Sequence, residues 1–201
     1  MYCILVTGIP AAGKSTTAET LSRCFGIPVI SKDKIKELLY DDLGFRSREE
    51  KVKLGIASMD IMYYMAEQFM KNDHPFILEN NFENISKEPL TKILEKYSYT
   101  AITVTLTGNY SKIYQRFIER NNSQDRHRGH VVNDSYPEKF VNSVVKSISY
   151  KDYVNGIRDR GMDHFSANGP HIVVDTTDFK KLNIESLIQQ IENYKEEILY
   201  D

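Results

Sequence analysis

The chain has 201 residues, 41% of them hydrophobic and 27% charged, with 10 Gly and 6 Pro and a formal net charge of −2. These are globular values, which exclude a disordered, collagenous or coiled-coil chain, and the absence of a global basic field argues against a nucleic-acid coat. Two cysteines make no disulfide framework; Cys3 and Cys24 read as small buried hydrophobes in a reducing compartment. No apolar run reaches the roughly 18 residues of a membrane helix, and the N-terminus lacks the basic region of a signal peptide, so a cytoplasmic location without membrane attachment is expected. At roughly 150 residues per domain, residues 1–201 are expected to form one domain.

In chain order, residues 2–7 form an apolar run of the length that suits a strand buried on both faces, ending at Gly8. A helix is expected over 14–25, closed by Gly26 and Pro28, then a strand over 27–30 and a helix from Asp33. Val52, Ile56, Met59, Tyr63, Ala66 and Met70 recur at three- and four-residue spacing, which predicts a long helix over 49–72 with that stripe in the core. Strands follow at 75–78, 100–107 and 171–174, with helices at 86–96, 110–120, 137–159 and near the C-terminus. Residues 121–136 are polar and aperiodic, a loop long enough to be functional. This alternation predicts an α/β sandwich with a mostly parallel sheet, whose strand C-termini, at Gly8, Ser31, Glu79, Thr107 and Asp175, share the ligand-binding edge.

Gly8-Ile9-Pro10-Ala11-Ala12-Gly13-Lys14-Ser15, followed by Thr16, matches G-x-x-x-x-G-K-[ST] between a buried strand and a helix. Glycines let backbone N–H groups curl around phosphates, the helix N-terminus adds free donors, Lys14 supplies charge at the β- and γ-phosphates, and the Ser15 hydroxyl suits Mg²⁺. ATP and Mg²⁺ are the expected cofactors. The fourth strand ends Thr107-Gly108-Asn109-Tyr110, without the base-reading Asn/Thr-Lys-x-Asp of a GTPase, and an AAA+ machine needs more chain. Between residues 112 and 130, Lys112, Arg116, Arg120, Arg126 and Arg128 oppose Glu119 and Asp125, a local excess of three positive charges in a chain of net −2. Such arginines stabilise the charge that spreads over a transferring phosphoryl group.

Asp33 follows the second strand and reads either as an acceptor-activating carboxylate or as a helix cap. Glu79, at a central strand tip, reads as support for Mg²⁺, with Ser15 as the direct ligand, and Asn81 as an acceptor contact. His127, His130, His164 and His171 lack zinc spacing and read as ordinary polar residues.

With Thr7–Thr16, Ser31-Lys32-Asp33, Ile77–Phe82, Arg116–Asn121 and Arg126–His130 in view, the chain resembles the small P-loop kinase-like family often labelled AAA-type ATPase. Its relatives are zeta-toxin kinases, polynucleotide 5′-kinases, chloramphenicol phosphotransferases and gluconate kinases, and the resemblance runs from Val6 to about Asp178. It implies a five-stranded parallel sheet in the order 2-3-1-4-5, Asp33 as the residue that activates the acceptor hydroxyl, and a mobile lid over about 116–136 bearing Arg120 and Arg126. Arg116 falls near the adenine or phosphates, and the base is placed near Asp175 and Thr176. Polynucleotide kinases carry Arg where Lys36 stands, and Lys is not its equivalent in bidentate recognition, so a nucleic-acid acceptor is disfavoured but possible at a 5′ end. Many relatives have Asp where this chain has Glu79.

The expected function is Mg²⁺-dependent transfer of a γ-phosphoryl group to a hydroxyl of a small-molecule or nucleotide-like acceptor. Lys14, Asp33, Arg120 and Arg126 would be catalytic, and Lys36 and Asn81 would bind the acceptor. A nucleotide-binding module that signals to a partner protein is the alternative from another class.

Overall fold

The computed structural model describes residues 1–138 and 148–200. Its elements run β1 (Tyr2–Gly8), α1 (Lys14–Phe25), β2 (Val29–Ser31), α2 (Lys32–Leu43), α3 (Arg48–Met70), β3 (Ile77–Glu79) and α4 (Asn84–Lys96). Then come β4 (Thr100–Thr107), α5 (Tyr110–Asn122), a short α6 (Arg128–Val131), α7 (Tyr150–Arg160), β5 (His171–Asp175), a 3₁₀ turn (Phe179–Lys181) and α8 (Ile184–Tyr200). The five strands form one sheet in the order β2-β3-β1-β4-β5, every neighbouring pair parallel. That is the order the resemblance implies.

All seven residues of β1 are buried. Successive side chains on a strand point to opposite faces, and β1 splits accordingly. Ile4 and Val6 join a core with Ala18 and Leu21 of α1, Ile113 of α5, Ile157 of α7 and Leu187 and Ile191 of α8. Cys3 and Leu5 join a second core with Met62, Ala66 and Met70 of α3 and Leu90 and Leu94 of α4. Burial on both faces explains why β1 reads as an unbroken apolar run. It also means that the chain leaving β1 must turn within the sheet's edge, hard against β4. At Gly8 (φ 125°) an added Cβ would lie 2.0 Å from the Leu106 carbonyl oxygen, so a side chain is excluded by both space and backbone.

Several expectations shift. The second strand sits at Val29–Ser31 rather than 27–30, because Pro28 lacks an N–H and contributes only its carbonyl, which accepts from Ile77 N at 2.8 Å. The loop 121–136 contains α6. Of the helix expected over 137–159, the described part is α7; residues 139–147 lie outside the described residues. Cys24 is exposed, unlike Cys3. The α3 stripe is core only in its C-terminal half: Ala66 and Met70 are buried, whereas Val52 and Ile56 are 50% and 58% exposed. Periodicity identifies a face, but the sheet is too short to cover the whole length of a helix of 23 residues. No helix among the described residues is long and apolar enough to cross a membrane.

Gly8→Ala is expected to destabilise the fold by at least about 2 kcal/mol, since it combines a positive-φ penalty with a backbone clash. Equilibrium urea unfolding of the two proteins measures it.

Candidate active site

The loop after β1 is held from beneath. Ile9 and Ala12 are fully buried, Ile9 N donates to Leu106 O at 3.1 Å, and Ala12 N donates to Ile9 O at 3.2 Å. The Tyr153 hydroxyl of α7 donates to Pro10 O at 2.7 Å. Gly8 and Ala12 therefore build the loop, while Pro10, Ala11, Gly13, Lys14, Ser15 and Thr16 line a cavity of about 630 Å³. Gly13 (φ 90°) occupies the N-cap position of α1 without a side-chain cap. The first amide of the helix with a backbone acceptor is Thr17 N, at 3.0 Å from Gly13 O. The preceding donors point into the cavity mouth with the positive end of the helix dipole, which is an anion site. Lys14 is buried, and its Nζ crosses the loop to donate to Ile9 O at 2.9 Å. Burial, together with Arg120 and Arg126, lowers its pKa to about 8; Glu79 and Asp33 act in the other direction.

Three arginines face this loop. Arg116 Nη2 donates to Thr176 O at 2.7 Å, and its guanidinium stacks 4.0 Å from the centre of the Phe179 ring. Phe179 in turn covers Gly13, where an added Cβ would lie 2.6 Å from the ring. Arg116 Nε and Nη1, Arg120 Nε and Arg126 Nε are buried without a hydrogen-bond partner. Buried guanidinium donors without acceptors are costly and call for an anion in the cavity they line. Burial, followed by the field of Arg126, pulls the Arg120 pKa down to about 10. Arg128 does not join them: it makes a bidentate pair with Glu138 at 2.6 and 2.7 Å.

The carboxylates lie opposite. Ser31, not Asp33, caps α2, its Oγ accepting from Lys34 N at 3.5 Å, so Asp33 is not spent on capping. Burial would raise the Asp33 pKa, but the fields of His130, Lys36, Arg126 and Lys14 outweigh it and hold the carboxyl below its ordinary value. Glu79 is buried and receives a hydrogen bond from Ser31 Oγ at 2.5 Å. Its pKa is raised, by burial above all, against the opposing effects of Lys14, Ser31 and Ser15. A divalent cation fits here. Ser15 and Glu79 offer hard oxygens beside the phosphate cradle, and a buried carboxylate gains from a neighbouring cation. Mg²⁺ at such a site completes its shell with phosphate oxygens and water. No group of three or more His, Cys, Asp or Glu that could hold a metal occurs among the described residues.

A second cavity, of about 620 Å³, adjoins the first and shares Lys36, Asn81 and His130 with it. The exposed Val52 and Ile56 of the α3 stripe and the partly buried Met59 line it. His130 is not an ordinary loop residue: its side chain is 6% exposed and its Nε2 lies 3.0 Å from Glu37 Oε1. Burial drives its pKa to about 4, with Arg126 and Lys36 adding to the drop and Asp33 and Glu37 opposing it. The segment that carries it is tied down by Lys51, whose Nζ donates to His130 O at 3.0 Å, Asn133 Oδ1 at 3.2 Å and Val132 O.

Sequence reasoning read His130 as an ordinary polar residue and missed Lys51 and Phe179. No motif marks these last two, although a Lys on the flank of an apolar helical stripe hints at Lys51. Near Asp175 and Thr176, where the base was expected, Asp175 Oδ1 accepts from Thr177 N at 2.7 Å and Thr176 contributes its carbonyl to Arg116. Phe179, three residues beyond Thr176, lines the cavity.

This strand–loop–helix with its ring of cations defines a P-loop protein with a kinase-like fold, and solved structures agree. A candidate kinase from Chloroflexus aurantiacus J-10-fl superposes with a TM-score of 0.77 at 22% identity, over 98% of this chain and 96% of that one. A shikimate kinase from Bacteroides thetaiotaomicron gives a TM-score of 0.55 at 15% identity, over 98% of each chain. A gluconokinase from Sinorhizobium meliloti 1021 gives 0.52 at 12% identity, over 93% and 87%. At such identities the likeness is one of fold. The chain belongs to the AAA domain family, whose model matches residues 4–140. No curated protein matches it in sequence.

His130 gives the site a pH signature. Its folded pKa of about 4 lies below the value of 6.5 it has in an unstructured chain, so between those values the unfolded state binds a proton that the folded state does not. Stability therefore falls as pH drops through the range between those two values. His130→Gln is expected to flatten this part of the Tm–pH curve, measured by thermal unfolding.

Proposed function

We propose that the protein transfers the γ-phosphoryl group of ATP to a hydroxyl of a small-molecule or nucleotide-like acceptor, with Mg²⁺. One observation carries the reading: buried, unpaired guanidinium donors of Arg116, Arg120 and Arg126 converge with Lys14 on an uncapped helix terminus, opposite a carboxylate that caps nothing. A structural turn needs none of this, whereas transfer of a charged phosphoryl group needs all of it.

The roles follow from position. The loop amides and Lys14 hold the β- and γ-phosphates. Arg116 and Phe179 form the wall against which the base rests, a stacked cation–aromatic pair beside the glycine of the loop. Ser15 and Glu79 would hold Mg²⁺, which would supply charge neutralisation of the phosphate oxygens. The acceptor oxygen forms a bond to the γ-phosphorus as the bond from that phosphorus to the bridging oxygen breaks, and ADP leaves with the electron pair. Asp33 orients the acceptor hydroxyl and takes its proton, which then passes to solvent. Arg120 and Arg126 neutralise the charge on the transferring oxygens from the segment 116–136, which acts as a lid. Lys36 and Asn81, at the boundary of the two cavities, contact the acceptor. Residues 1–201 act as one unit in the cytoplasm.

The test uses γ-labelled ATP, Mg²⁺ and a pool of hydroxyl acceptors. Label is expected on an organic product; label released only as free phosphate favours a nucleotide switch that signals to a partner protein. Asp33→Asn is expected to cut transfer at least about 100-fold while equilibrium ATP affinity stays within about threefold. Because the Asp33 carboxyl is held below its ordinary value, the acid limb of kcat/KM lies below the ordinary carboxylate range. A variant that turns over normally would reduce Asp33 to a structural residue.

A further inference from the structure

The charge balance of the second cavity identifies the chemistry of its occupant. Five cationic side chains line it, Lys32, Lys36, Arg48, Lys51 and Arg160, against the carboxylates Asp60 and Glu83. Arg160 is neutralised by Glu83, 3.1 Å away, and the Lys51 ammonium is occupied by the oxygens of residues 130–133. Arg48 gives one hydrogen bond to a neutral oxygen, Asn133 Oδ1, at 3.2 Å. Lys32, Lys36 and Arg48 make no ion pair with a carboxylate among the described residues, and the carboxylate whose field reaches Lys36 is Asp33, at the neighbouring cavity. Lys36 lies along α3, where an added Cβ at Gly55 would be 3.8 Å from its Nζ. The cations act on one another: burial, followed by the like charges of Lys36, Arg48 and Arg126, lowers the Lys51 pKa to about 8. Uncompensated like charges are stabilised by an anion placed among them. The apolar part of the lining is Val52 and Ile56, on the same helix as Arg48 and Lys51, together with Ile85 of α4, exposed to 50%, 58% and 82%.

We infer that the acceptor is a small, hydroxyl-bearing organic anion with an apolar flank, its carboxylate or phosphate held by Lys36 and Arg48, its flank on Val52, Ile56 and Ile85, and its hydroxyl directed to Asp33 through the opening that the two cavities share. This rests on the phosphotransfer reading. A volume of about 620 Å³ suits a metabolite-sized ligand rather than a polymer.

The experiment has two arms: hydroxycarboxylates, and sugar or nucleoside monophosphates. Each is paired with neutral counterparts, the methyl esters and the unphosphorylated sugars or nucleosides, and 5′-hydroxyl oligonucleotides are included. Two readouts are taken: phosphorylated product by mass, and thermal stabilisation of the protein saturated with ADP and Mg²⁺. Members of one anionic arm are expected to be phosphorylated and to stabilise the loaded protein, with their neutral counterparts at least about tenfold poorer, and the responding arm tells carboxylate from phosphate. Arg48→Met is expected to raise KM for the anion at least about tenfold, while Val52→Ala weakens charged and neutral acceptors alike. Neutral acceptors used equally well, an unchanged KM in Arg48→Met, label on oligonucleotides alone, or no anion stabilising the loaded protein would each overturn the inference and leave the kinase reading standing. Failure to bind ATP at all would instead overturn the kinase reading.

Discussion

Positive charge that the chain does not neutralise organises this structure. Lys14, Arg116, Arg120 and Arg126 surround a helix terminus whose first amides have no cap, and three of the four carry guanidinium donors without acceptors. Folding accepts that cost because the cores on the two faces of the sheet stabilise the scaffold far from the loop. The cations then already face the cavity, with buried guanidinium donors left for an anion. The pKa values express the same tension: Lys14 and Arg120 are both lowered, and both are restored by an anion.

The segment after α5 closes the second side of the site, and it is anchored chemically rather than by apolar bulk alone. Lys51 binds its backbone from α3, His130 meets Glu37 of α2, and the Tyr136 hydroxyl and the His127 ring both reach Asp41. Tyr40 lies fully buried beneath the rings of Phe45, His127, His130 and Tyr136. These contacts place Arg126 over the phosphate cavity and His130 at the opening between the two cavities. Local order therefore becomes site geometry: the same segment that supplies a cation also shapes the opening between the two cavities.

Much of the phosphate half was legible in the residues. The motif Gly8–Ser15 specifies a loop whose chemistry is local, and the strand before it and the helix after it are short-range patterns. Arg116 and Arg120 share a helix face by spacing alone, and the double-sided burial of β1 shows in its unbroken apolar run. The second cavity was not legible in the same way. Val52, Ile56 and Met59 continue a stripe indistinguishable from core, and whether such a stripe is covered depends on how far the sheet extends beneath it. His130 sits in an aperiodic stretch, and Phe179 in a turn that carries no motif.

The sequence by itself determined the order of elements, the phosphate loop and the residue types able to move a phosphoryl group, because each depends on neighbours within a few positions. The tertiary structure alone decided the rest. It separated Arg126, which faces the cavity, from Arg128, which turns to Glu138. It showed that Ser31 does the capping and leaves Asp33 available, and it brought Lys36 and Arg48 from different helices to one cavity. The physical reason is that burial and field are properties of the whole packed chain, and no residue carries them in its local sequence.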